Sequence, residues 1–290
     1  MERCIPPAPS AFMGSARPYG PPRHDGQRCI KPLTRTPDKS PFMTLAAASA
    51  LAVAVFATSF LSGIFGLAGG LVLMGLLLLF LPVTTAMVLH AITQMASNGS
   101  RAFLWRAHAD RRIFARYMVG GAIAFALFAA VRFVPDRALV FIMLGILPFV
   151  GLALPESLAP RADQRFASEI CGFLSMALQL ISGVSGPVLD ILLVRSPLDR
   201  RAVVATKALC QVATHALKLV YFGGLIGAGL GDIPPAVTAL AVVLAILGTN
   251  LAKTTLERLS DVQFRRWMKG LMIVIGTFYM AQGVHLYLTR

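Results

Sequence analysis

The chain has 290 residues, of which 56% are hydrophobic and only 14% charged, where soluble domains carry roughly 25% charged residues. A mean hydropathy of +0.71 excludes an ordinary soluble domain and points to a polytopic membrane protein. The net charge of +14 does not imply nucleic acid, because the basic residues lie in short loops between apolar runs, with no basic face interleaved with aromatics.

Residues 1–41 are rich in Pro, Arg and Lys and lack an apolar period, so the expectation is a disordered tail. The tail is too long and too proline-rich for the charged region of a signal peptide. Met43 opens the first apolar run, and a translation start there is the competing explanation of the tail.

Residues 42–290 read as one integral membrane domain. A helix needs about 20 apolar residues to cross roughly 30 Å of hydrocarbon. Apolar runs at 43–62, 67–81, 84–105, 113–134 and 137–154 form a first group, within a repeat spanning 43–155. A second group, at 166–182, 186–194, 200–223, 233–254 and 265–288, falls within a repeat spanning 165–289. The expected fold is all-α, with 8–10 transmembrane or re-entrant helices. The run 186–194 makes a helix only about 14 Å long, too short to span, and reads as a re-entrant half-helix.

Loop charge orients the chain. Arg106, Arg111, Arg112 and Arg116 crowd one loop, and Lys253, Arg258, Arg265, Arg266 and Lys269 another. Both should face the cytoplasm. The loops 155–165 and 195–201 are also basic and fall inside if segments alternate, while Gly223 to Gly231, which contains no charge, falls outside. This leaves the N-terminus outside, in conflict with a basic tail, and a start at Met43 removes the conflict. The expected location is the plasma membrane or a bacterial inner membrane.

Two motifs interrupt the apolar runs. Ser62-Gly63-Ile64-Phe65-Gly66 and Ser182-Gly183-Val184-Ser185-Gly186 both read S-G-x-x-G. Glycines there free backbone groups, which hydrocarbon tolerates only where they are buried in protein or line a cavity. Paired interruptions in two halves mark the binding site of a secondary transporter. Sliding the chain on itself aligns the two motifs. Further on, after a three-residue gap, it pairs Gln94 with Gln211, Asn98 with His215, His90 with Lys207, Arg101 with Lys218 and Trp105 with Phe222. Five segments per half would set the halves in opposite orientations, as inverted repeats.

The first motif, continued by Leu67-Ala68-Gly69-Gly70, resembles the glycine-rich first motif of the sulfite exporter TauE/SafE family. The second, with Gly172 upstream, is similar to that family's second motif. Pro187 and Asp190 stand where the family usually has more glycines. The resemblance covers about residues 43–288. It implies a two-repeat carrier of sulfur-containing or organic anions such as sulfite or sulfonates.

Physical chemistry points the same way. A half-helix that starts after each glycine break aims N–H groups and a positive dipole end inward, which suits an anion. The expected substrate site therefore comprises Ser62, Gly63, Gly66, Gly69, Gly70, Ser182, Gly183, Ser185 and Gly186. To these are added Gln94, Asn98, Gln211 and His215, spaced i, i+4 on their helices, and Lys207, which could meet the substrate or Asp190. His90 and Asp190 are candidates for coupling an ion to transport. Arg101 and Lys218 read as interfacial residues whose charges snorkel to water.

Cys4 and Cys29 lie in the tail, and Cys171 and Cys210 within apolar runs. No Cys-x-x-Cys occurs, so neither disulfide nor zinc is expected. No H-E-x-x-H, P-loop or catalytic set stands out. An enzyme, a cofactor and a nucleic-acid partner are not expected, while a homo-oligomer stays open. The alternative to an anion exporter is a membrane-embedded assembly or scaffold subunit whose glycines only pack helices.

Overall fold

A computed structural model describes residues 45–65, 68–153, 164–194, 196–227, 231, 233–258 and 260–289. The tail and Gly66 lie outside the described residues. Ten α-helices are present among them: α1 Leu45–Phe65, α2 Ala68–Phe80, α3 Val83–Leu104, α4 Arg111–Val131 and α5 Arg137–Ala153, then α6 Ala167–Ile181, α7 Gly186–Val194, α8 Arg200–Leu219, α9 Pro235–Arg258 and α10 Asp261–Leu288. No strand occurs among the described residues. Among the described residues four helices are long and apolar enough to cross a membrane: Arg111–Val131, Arg201–Leu225, Pro235–Ala252 and Arg266–Leu288. Shorter apolar helices accompany them.

Helix ends are set by polar residues where the apolar runs stop. The Asp110 carboxylate accepts from the Ile113 amide at 2.8 Å and caps α4. Asp199 caps α8 by accepting from the Arg201 and Ala202 amides at 2.8 and 2.9 Å. These amides, Ala202 first, hold its carboxyl below the usual range. Ser260 and Gln263 form a reciprocal capping box at the start of α10. Beyond α8, a π-helix runs from Val220 to Leu225.

The bundle buries a set of polar residues within an apolar core and exposes apolar residues on its outside. On α8, Thr206, Thr214, His215 and Lys218 are buried. On α9, Leu240, Val243, Leu247 and Leu251 are exposed, and so are Val119, Ile123 and Leu127 on α4. In water that arrangement would be costly; in lipid the exposed apolar side chains are solvated. Buried hydroxyls bond back to their own helix, as Thr93 does to Leu89 O at 3.0 Å.

Helix pairing follows a simple rule. α1 packs on α9 and α4 on α6, while α3 packs on α8 and α5 on α10. Exchanging α1–α5 for α6–α10 leaves this pairing unchanged. Helices α5 and α10 run antiparallel: Gly145 faces Met280, and Gly283 faces Ile142 and Ala138. α3 and α8 do too. The start of α8 lies beside the end of α3, with the Arg201 guanidinium 5.6 Å from the Trp105 ring, while Lys218 near the end of α8 reaches His90 near the start of α3. The Asp110 amide donates to Thr206 Oγ at 2.9 Å. The loops after α3 and before α8 thus share one end of the bundle.

Small residues make the close contacts. A Cβ on Gly63 would overlap Ala252 of α9, one on Gly120 the backbone at Glu169, and one on Gly172 the backbone at Tyr117. This is the small-residue packing that lets membrane helices touch.

Candidate functional site

The short helices α2 and α7 meet α3 and α8 around a central cavity. It is lined by Gly70 from α2, His90 and Gln94 from α3, Val184, Ser185 and Gly186 at the start of α7, and Gln211 and His215 from α8. Its volume open to a water's centre is about 10 Å³, room for roughly one water. α7 turns its first residue, Gly186, toward it and α2 its third, Gly70, which brings the positive N-terminal turns of two helices to the cavity.

The second glycine motif builds one wall. α6 stops at Ile181; the Gly183 amide bonds back to Gln179 O at 3.1 Å, and Gly183 takes φ of +81°. Such a left-handed helix stop favours glycine. A Cβ there would also sit 2.8 Å from Met74 Sδ and 2.9 Å from Met87 Sδ. The Ser182 hydroxyl is engaged within the turn, 2.9 Å from Leu178 O and 3.1 Å from Val184 O. Ser185, 2% exposed, has a hydroxyl without a hydrogen-bond partner, and the Nε of Gln94 is likewise buried and unpartnered. Two unsatisfied polar groups thus share one cavity, where a buried polar group normally has a partner.

The first motif differs. Ser62 and Gly63 belong to α1, inside the helix rather than at its break. Gly63 presses on α9, and a Cβ on Gly69 would overlap Thr58 O of α1. Neither glycine lines the cavity. Gly70 does, and a Cβ there would meet the Gln94 amide at 3.5 Å, ordinary contact.

Behind the cavity wall lies a buried polar network. His90 Nε2 is 2.9 Å from Gly70 O and its Nδ1 is 2.9 Å from Lys218 Nζ. Lys218 Nζ also donates to Gly183 O at 3.0 Å. The His215 Nδ1 lies 2.7 Å from the Gln179 amide nitrogen, and the two imidazole rings are 5.4 Å apart. Lys218 has no exposed surface, which corrects the expectation that it snorkels. Arg101, which the sequence alignment of the halves pairs with it, turns inward as well, 3.2 Å from Asn98 Oδ1 and 3.3 Å from Ser62 Oγ. Asn98 in turn donates to Gln94 O at 2.9 Å. Lys207 pairs with Asp190, and neither lines the cavity.

Of the residues expected at the site, Gly70, Gln94, Ser185, Gly186, Gln211, His215 and His90 come together. Ser62, Gly63, Gly69, Asn98, Ser182, Gly183 and Lys207 stand behind or beside them. Lys218 and Gln179 were missed, although Gln211, His215 and Lys218 follow an i, i+4, i+7 spacing that sets all three on one helix face.

This arrangement is that of a membrane transporter built around a central polar site. The model of the sulfite exporter TauE/SafE family matches residues 50–279, and the chain belongs to that family. Comparison with curated proteins and with solved structures finds no match.

Proposed function

We propose that the protein is a secondary carrier that exports small sulfur-containing or organic oxyanions, such as sulfite and sulfonates, by alternating access. The observation that carries this reading is the pair of unsatisfied polar groups, Gln94 Nε and Ser185 Oγ, in a cavity that both half-helices face with their N-terminal turns. Among the described residues no carboxylate lines that cavity. Donors and dipole ends without a fixed negative charge suit an oxyanion.

The carrier domain is residues 42–290, with inverted repeats at 43–155 and 165–289. Support comes from the helix pairing that survives exchange of the halves and from the antiparallel α3–α8 and α5–α10 pairs. The basic loops face the cytoplasm. Room for one water is too little for an oxyanion, so cargo enters when α2 and α7 part from α3 and α8. The protein then works as a carrier with no bound cofactor, driven by an ion gradient or by the anion's own.

Purified protein in proteoliposomes tests the reading. Radiolabelled sulfite should run downhill faster than through protein-free vesicles, and sulfonates should compete. If sulfite, thiosulfate, sulfonates and simple carboxylates all fail to move, the scaffold reading replaces this one. Cells lacking the protein should grow worse on sulfite if transport is outward.

A further inference from the structure

We propose that each anion crosses together with a proton carried on Lys218, an inference that rests on the anion-carrier reading. The geometry of the His90–Lys218 pair leads to it. Gly70 O can only accept, so the bond at 2.9 Å assigns the hydrogen of His90 to Nε2. In the neutral ring Nδ1 is then an acceptor, and Lys218 donates to it at 2.9 Å. Its other partner, Gly183 O at 3.0 Å, is an acceptor too. A neutral amine has two N–H groups and finds two acceptors here. An ammonium has three, and the third finds none among the described residues.

The charges around Lys218 point the same way. On α3 the nearby groups are His90 and, farther along, Arg101. On α8 it is His215, held by Gln179 of α6. The α7 carboxylate, Asp190, is taken by Lys207. Glu169 of α6 is paired with Arg116 at 2.8 Å, and Cys171 of α6 is a free thiol against Ser175. α2 has no titratable residue. The Tyr221 phenol of the π-helix donates to Phe128 O or Phe133 O. No carboxylate balances Lys218 among the described residues, and a buried charge without a partner is strongly unfavourable.

The cargo is the missing counter-charge. On the loading side the amine lone pair takes a proton from water as the anion settles against His90. On the other side the anion leaves and the proton returns to water. Anion and proton move in the same direction, and a monoanion crosses with no net charge.

The test uses the full chain in weakly buffered proteoliposomes loaded with methanesulfonate, which does not titrate near neutral pH, and a trapped pH dye. The lumen should turn alkaline as the anion leaves, at a rate indifferent to an imposed potassium diffusion potential. A proton gradient of one pH unit should accumulate the anion toward about tenfold, since each 1.4 kcal/mol is a factor of ten. Lys218→Arg, a fixed cation, should move anion without proton. The wild-type result decides alone if that variant does not insert. Anion efflux at constant lumen pH, with a rate that follows the potential, would overturn the proposal and leave the carrier reading standing. Absence of flux for sulfonate and sulfite alike overturns both.

Discussion

The two S-G-x-x-G motifs are nearly the same in sequence and do different work. In the first, Ser62 and Gly63 lie inside α1 and Gly63 presses on α9. In the second, Ser182 and Gly183 are the break itself, and Ser185 and Gly186 face the cavity. A shared pattern therefore does not fix a shared role. The neighbour decides. Gly63 meets a helix, whereas Gly183 must turn the chain beside Met74 and Met87.

The largest effect is expected at the second motif. Gly183→Val puts a branched side chain at positive φ, a strain of about 1–3 kcal/mol, and must also push the Met74 and Met87 side chains aside. Transport should fall by at least about a hundredfold, roughly 2.7 kcal/mol, as read from sulfite flux per inserted molecule. Gly186→Val, at the cavity wall, should abolish flux while much of the protein still inserts. At the first motif the pattern should invert. Gly63→Val should lower thermal stability in detergent by about 1–3 kcal/mol through overpacking, with flux per folded molecule nearly retained. If Gly63→Val keeps its stability and loses flux, the contrast between the motifs collapses.

Smaller effects sharpen the site. Gln94→Ala should raise the KM for sulfite about two- to twelvefold, the equivalent of roughly 0.5–1.5 kcal/mol for one neutral hydrogen bond. An unchanged KM would remove Gln94 from the contact surface. Lys207→Met should weaken apparent affinity by less than tenfold, because its partner is Asp190, and Asp190→Asn in the same chain should restore part of the loss. A larger fall would put Lys207 on the anion.

Much of the fold could be read in the residues. Each of the ten apolar runs forms one helix, with ends within about four residues of expectation, and the short run at 186–194 is the nine-residue helix α7. Apolar length and polar punctuation are local signals, and lipid imposes them strictly. The cavity wall was legible where glycines and amides recur in both halves. Lys218 and Arg101 were not, because a cation near a segment end looks the same whether it reaches out to water or turns inward. Only the packing of α3 on α8 decides that. The role of Gly63 was hidden for the same reason: its partner, Ala252, lies far away in sequence.

A cavity with room for a single water has a further consequence. In this conformation the described residues leave this cavity no room for a column of water or for a hydrated ion. In the carrier reading a copy closed at this point is sealed there, and many such copies can sit in a membrane without short-circuiting its voltage. On the same reading each turnover must first open a space for the cargo, which makes helix movement a step of every cycle.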